Sequence, residues 1–270
     1  MNRRVVITGG SSGLGLSLAS ALASRGDAVA LVARDAAKLE RAAVQIRQAT
    51  PGATVLTLAA DVQAEDALGS GFDALAAELG GIDALVNSAG ILKEGYFETL
   101  PPNAHRDVMA INYFGTLNAI RAALPHLKRS RGRIVNVASV AGLTGVFGYS
   151  AYCGSKYALV GLSEALRYEF APQGITLQLV CPAEFDSPMV DELNQYRTPE
   201  NRAHTLTIPK VDVDVIVRDV VRGMDGTAFL VVPGARAKAA VVGLRHFPSM
   251  SRAVGDARVR RVYVGPKSNG

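Results

Sequence analysis

Short uncharged apolar runs alternate along this chain with longer stretches in which apolar residues recur every third or fourth position. Residues 3–8 are apolar and β-branched after two arginines, and read as a buried strand. Residues 28–33, 54–60, 82–86, 133–138, 176–181 and 229–232 read the same way. Helical spacing fills the gaps: from Leu16, over 38–48, 65–79 and 103–128, after Tyr152 through Leu162, Leu166 and Phe170, and over 211–224. Strand and helix in alternation predict βαβ units and a parallel sheet. Pro182 stops the sixth strand, and Pro233-Gly234 end the last. Residues 235–247 then read as one more helix. Its Ala237, Ala240, Val241, Leu244 and Phe247 share a face, Lys238, Arg245 and His246 take the other, and Ala239 and Val242 blur the boundary.

A length of 270 residues, 49% hydrophobic and 20% charged, suits one soluble globular domain with a large core. We read residues 1–232 as that domain, with a substrate loop at 183–210, and residues 233–270 as a basic amphipathic tail. A first strand at residue 3 leaves no room for a signal peptide. Residues 134–155 form the longest uncharged run. Asn136, Ser139, Gly142, Thr144, Gly145 and Gly148 break it, so it reads as a strand and an active-site loop, not a membrane span. Cys153 and Cys181 give no disulfide framework, which points to a reducing, cytoplasmic setting. Four scattered histidines form no ligand cluster, and no metal is expected.

The net charge of +5 is uneven. Residues 227–270 hold eight Lys/Arg and one acid, Asp256, hence +7, which leaves −2 for the rest. A basic patch confined to the tail argues against nucleic-acid binding across the domain. An apolar stripe followed by Arg252, Arg258, Arg260 and Arg261 suits peripheral contact with an anionic bilayer. Equally, the stripe could pack on the domain or a second subunit.

The candidate chemistry lies at the strand ends. Gly9-Gly10-Ser11-Ser12-Gly13-Leu14-Gly15 joins the first strand to the first helix. Glycines let backbone approach a pyrophosphate, and a helix N-terminus offers free N–H groups and a favourable dipole. Arg34 follows the second strand, whose last position is Ala33 and not an acid; this favours NADP(H), with its 2′-phosphate, over NAD. Asp35 is placed to cap the next helix. Tyr152 and Lys156 lie one helical turn apart, where an ammonium would lower the tyrosine pKa and fit it for proton transfer. Asn112, mid-helix among apolar neighbours, needs a partner if buried.

These motifs, in this order, resemble the short-chain dehydrogenase/reductase family from residue 3 to about residue 232. The glycine turn looks like the family's cofactor turn, Asp61-Val62 its adenine contact, and Asn87-Ser88-Ala89-Gly90 its fourth-strand signature. Asn112, Ser139, Tyr152 and Lys156 fall where the family carries its catalytic tetrad. The resemblance implies a Rossmann-type, doubly wound, seven-stranded parallel sheet with helices on both faces. It implies that Tyr152 exchanges the proton, Lys156 lowers the Tyr152 pKa and binds the nicotinamide ribose, Ser139 binds the reacting oxygen, and Asn112 supports a water-mediated relay. NADP(H) would contact Gly9, Ser11, Ser12, Gly13, Leu14, Gly15, Arg34, Asp61, Val62, Asn87, Ala89, Gly90, Tyr152, Lys156, Pro182 and Ser187. A homodimer or homotetramer through the two long helices is the family's usual assembly.

After the sixth strand the chain reads Cys181-Pro182-Ala183-Glu184-Phe185-Asp186-Ser187-Pro188. This is similar to the 3-ketodihydrosphingosine reductase subfamily, which has Pro-Pro-Asp-x-Asp-Thr-Pro here. Ala183, Glu184 and Phe185 depart from it. The implied reaction interconverts a ketone and a secondary alcohol on a long-chain lipid. The alternatives are another bulky ketone (β-ketoacyl or steroid) and a dinucleotide-binding scaffold without turnover, against which an intact tetrad argues.

Overall fold

The computed structural model describes residues 2–266. In chain order the elements are β1 (Arg4–Thr8), α1 (Gly13–Ser24), β2 (Ala28–Ala33), α2 (Ala36–Ala49), β3 (Val55–Ala59), α3 (Glu65–Leu79) and β4 (Ala84–Asn87). Then follow α4 (Ala104–Met109), α5 (Gly115–Ser130), β5 (Arg133–Val137), α6 (Ser150–Phe170), β6 (Thr176–Val180), α7 (Pro188–Asn194) and α8 (Pro199–Thr205). The chain continues through α9 (Val213–Met224), β7 (Leu230–Val231), α10 (Ala235–His246) and α11 (Pro248–Val262). All strand pairs are parallel, in the order β3-β2-β1-β4-β5-β6-β7. This is the parallel sheet the alternation predicts, doubly wound as the family resemblance implies.

Helices cover both faces, so the central strands are apolar on both sides. Val5, Ile7, Val29 and Leu31 point into one core with Leu18 and Leu22 of α1, Leu39 and Ile46 of α2, and Ile216 and Val220 of α9. Val6, Ala30 and Val32 alternate to the other, against Leu68, Phe72 and Leu75 of α3 and Ile120 and Leu127 of α5. A strand slipped by one residue would exchange these two sets, so the register is firmly held.

Several elements differ from expectation. The long helix over 103–128 is interrupted by a π-turn at Ala110–Phe114 that contains Asn112. The helices α7, α8 and α11 were not expected. The first two open on a Ser or Thr cap followed by proline: Ser187 Oγ accepts the Val190 N–H, and Thr198 Oγ1 accepts that of Asn201. The stripe on α10 divides. Ala237 is fully buried and, with Val241 and Leu244, packs against Val140 and Ala183, whereas Phe247 stays exposed. Further on, α11 lies against α8, and the Val264 N–H donates to Glu200 Oε1 at 2.7 Å. Among the described residues no helix is long and apolar enough to cross a membrane.

Candidate active site

The carboxyl ends of the strands open onto one cleft of about 770 Å³. The sheet order reverses direction between β1 and β4, and ligands collect at that edge in open parallel sheets. Part of its floor is the turn from β1 to α1. A Cβ on Gly15 would strike the Gly9 carbonyl, and Gly13 sits at φ +52°. Over Gly13 the space is open; an added Cβ would find its nearest neighbour, Pro188 Cδ, at 3.9 Å. Ser12 caps α1 without a side-chain hydrogen bond, and among the described residues the first-turn N–H groups of this twelve-residue helix have no side-chain acceptor. Ser12, Gly13 and Leu14 all line the cleft. These features fit a dinucleotide pyrophosphate.

Two groups stand at the neighbouring strand ends. Arg34, 65% exposed, holds its Nη1 4.0 Å from Asp61 Oδ2. Asp35 accepts the Lys38 N–H at 2.9 Å, which caps α2 as expected and keeps that carboxylate on the helix. Val62 is buried, and its carbonyl accepts from Asn118 Nδ2 at 3.1 Å.

The other side of the cleft holds Ser139, Tyr152 and Lys156. Ser139 follows β5 and caps a single 3₁₀ turn, its Oγ accepting the Ala141 N–H at 3.1 Å. Lys156 is 5% exposed; its Nζ donates to the Val137 carbonyl at 2.9 Å and lies 5.5 Å from the centre of the Tyr152 ring. Burial lowers the Lys156 pKa to about 8. Burial pushes the Tyr152 phenol up to about 12, and the Ser139 hydroxyl offsets part of that rise. The direction is thus opposite to the one expected from the lysine: desolvation is the largest influence on the phenol, and Tyr152 is held in its protonated form at neutral pH.

Asn112 is fully buried in the π-turn, and its amide is fully engaged. Oδ1 accepts the Ile91 N–H at 2.8 Å; Nδ2 donates to the Ile91 carbonyl at 3.0 Å and to Ser155 Oγ at 2.9 Å. It thus ties the loop after β4 to α6. Asn87 donates through Nδ2 to Asn136 Oδ1 at 2.9 Å across β4 and β5, and its own Oδ1 has no partner among the described residues.

The cleft brings together Gly9, Ser12, Gly13, Leu14, Ala89, Gly90, Ser139, Tyr152, Lys156, Pro182 and Ser187. Ser11, Gly15, Arg34, Asp61, Val62, Asn87 and Asn112 do not line it: Arg34 and Asp61 stand at adjacent strand ends, and Asn87 and Asn112 lie behind its wall. The cleft also holds residues that sequence reasoning did not single out for the site. Leu143, Val146 and Tyr149 come from the expected active-site loop and Met189, His204 and Ile208 from the expected substrate loop, whereas Leu92, Leu244, Met250 and Val254 come from segments that only the fold brings here.

A glycine turn that fits a pyrophosphate and a Tyr–Lys pair share one cleft of a parallel sheet, the arrangement expected of a dinucleotide-dependent oxidoreductase. Residues 3–198 match the short chain dehydrogenase family, and the chain belongs to it; its members bind a nicotinamide dinucleotide. It is 37% identical over 227 residues to the 3-ketodihydrosphingosine reductase of Bos taurus, covering 81% of this chain and 68% of that one. It is also 37% identical over 243 residues to the 2-(R)-hydroxypropyl-CoM dehydrogenase of Xanthobacter autotrophicus, with coverages of 87% and 96%. A solved actinorhodin polyketide ketoreductase variant with NADPH matches with a TM-score of 0.78 at 26% identity, covering 91% of this chain and 98% of that chain.

Proposed function

We propose that the chain is an NADP(H)-dependent reductase that converts a long-chain lipid ketone, such as 3-ketosphinganine, to the secondary alcohol. One observation carries the substrate class: the cleft that holds Tyr152 is lined by apolar side chains from several segments, Leu92, Val146, Ile208, Leu244 and Met250 among them. An aliphatic chain gains roughly 0.8 kcal/mol per methylene buried on such a wall. The likeness to 3-ketodihydrosphingosine reductases agrees. Arg34 supports the choice of NADP(H), because an exposed guanidinium at the end of β2 suits a 2′-phosphate.

Bound reduced nicotinamide supplies the hydride that reaches the carbonyl carbon. Tyr152 donates its phenolic proton to the oxygen, which Ser139 holds by hydrogen bonding. The phenolate left behind is stabilised by the Lys156 ammonium on the same helix face. Asn112 fixes the loop at Ile91 and Ser155 and so holds the two halves of the site in register. In this reading the protein works in the cytoplasm as a homodimer or homotetramer, and touches an anionic membrane surface through its tail.

The test is NADPH consumption with 3-ketosphinganine, a short β-ketoacyl ester and a steroid ketone, run beside Tyr152→Phe. Preference for the long-chain ketone, with turnover lost by orders of magnitude in the variant and NADPH binding retained, is the expected result. Preference for either other ketone replaces the substrate. Undiminished consumption in the variant removes Tyr152 as the proton donor.

A further inference from the structure

The short helix α8 stands in the substrate-side wall, yet it grips the backbone that launches the catalytic helix. Asn201 is fully buried; its Nδ2 donates to the Phe147 carbonyl at 2.6 Å, while its Oδ1 accepts from Arg197 Nε at 2.7 Å. Three residues on, His204 Nδ1 accepts the Phe147 N–H at 3.0 Å. Both backbone polar groups of Phe147 are thus held by one helix. Burial lowers the His204 pKa, with Asp256 opposing and Arg258 reinforcing, so the ring is neutral and Nδ1 can accept. The ring is also backed by α11: a Cβ on Gly255 would come within 2.7 Å of Nε2.

From Phe147 the path to the catalytic phenol is short and fixed at each step. Its ring meets Tyr96 edge-on at 5.5 Å, and the Gly148 carbonyl accepts the Gly95 N–H at 3.0 Å. The Tyr149 carbonyl accepts the Cys153 N–H at 2.7 Å, and the Tyr149 ring packs edge-to-face on Tyr152 at 5.6 Å.

We propose that Asn201 and His204 are positioning residues for Tyr152: by clamping Phe147 from the substrate-side wall, they set where the first turn of α6 begins and where its phenol points. This rests on Tyr152 being the proton donor. His204 itself lines the cleft, so one helix both walls the cleft and holds the tyrosine's approach. Proton transfer is sensitive to such placement; an error of about 1 Å can cost on the order of 100-fold in rate.

The test compares His204→Ala, His204→Asn and Asn201→Asp with wild type and Tyr152→Phe. It reads kcat, KM, NADPH affinity, melting temperature and the crystal structure of each. His204→Ala should lower kcat by about tenfold or more with KM and NADPH affinity little changed, and residues 147–152 should shift. His204→Asn, whose Oδ1 can accept the same N–H, should regain most of the loss. Asn201→Asp keeps the Arg197 contact but turns an oxygen toward the Phe147 carbonyl, and should lose comparably; if it does not fold, the His204 pair decides. Unchanged kcat and an unshifted loop in His204→Ala overturn the clamp, as does an effect on KM alone or an equal loss in Ala and Asn. Near-normal turnover in Tyr152→Phe defeats the donor assignment and the clamp with it. Loss there with none in His204→Ala and Asn201→Asp defeats the clamp alone.

Discussion

The proposed reduction calls for a proton on Tyr152 and a positive charge on Lys156, and burial moves the two groups to different pH limits. With the phenol at about 12, the proton is present across the working range. The ammonium, at about 8, is the group that titrates first. Its folded pKa lies below the ordinary lysine value, so the charge is lost as pH rises through about 8. Accordingly kcat/KM for NADPH, which reports the free enzyme, should fall above about pH 8, by roughly tenfold per pH unit. Lys156→Arg keeps its charge and should abolish that fall at a lower overall rate. A flat profile from about pH 7 to about pH 10 would assign the requirement elsewhere. The proposed cofactor choice also turns on one residue, Arg34. NADPH should bind more tightly than NADH, and Arg34→Ala should erase most of the difference; equal dissociation constants in the wild type would remove Arg34's role.

At the scale of elements, α8 is held from several sides. Arg197, just before it, pairs with Glu184 in the loop after β6, and both side chains are well shielded, at 3% and 14% exposure. Glu94 accepts from both the N–H and the Oγ1 of Thr198, and Tyr96 donates to Glu200. Removing one member of a buried pair costs about 3–5 kcal/mol, because the partner keeps its desolvation penalty. Arg197→Met should therefore lower the unfolding free energy by about that amount, although Lys210, 3.5 Å from Glu184, softens the loss. Chemical denaturation measures it, and a change below about 1 kcal/mol would mean the pair is not an anchor. None of this was readable along the chain. The strands and long helices were, since their period extends over many residues. So was the Tyr152–Lys156 spacing, a property of one helix. Helices of seven residues such as α7 and α8 are too short to show a period, even though Ser187-Pro188 and Thr198-Pro199 carry cap signatures. The direction of the Tyr152 pKa was misread for a related reason. Helix spacing supplies the lysine, but the desolvation that raises the phenol pKa comes from segments joined only by the fold.

For the whole molecule, the question is what the apolar surface outside the cleft meets. The inner face of α10 is taken by the domain, which leaves Phe247, Met250 and Val254 exposed at the corner between α10 and α11, with Leu206 exposed at the end of α8. Met250 and Val254 also line the cleft, so apolar surface continues from the outside of the molecule to its interior. On α11, Met250, Val254 and Arg261 share a helix face, which carries a cation beyond the apolar end. With +7 over residues 227–270, the corner suits an anionic bilayer from which a lipid ketone would enter. The full chain should co-sediment with vesicles containing anionic lipid at low salt, and much less with neutral vesicles or at about 0.5 M salt. Phe247→Ser combined with Leu206→Ser, both exposed and outside the cleft, should weaken binding severalfold without changing turnover of a short, water-soluble ketone. Turnover of a long-chain ketone presented in vesicles should fall in the same variant. If the wild type ignores anionic vesicles, or the double variant binds them equally well, the corner is not a membrane contact. The case for a lipid substrate then rests on the apolar cleft wall alone.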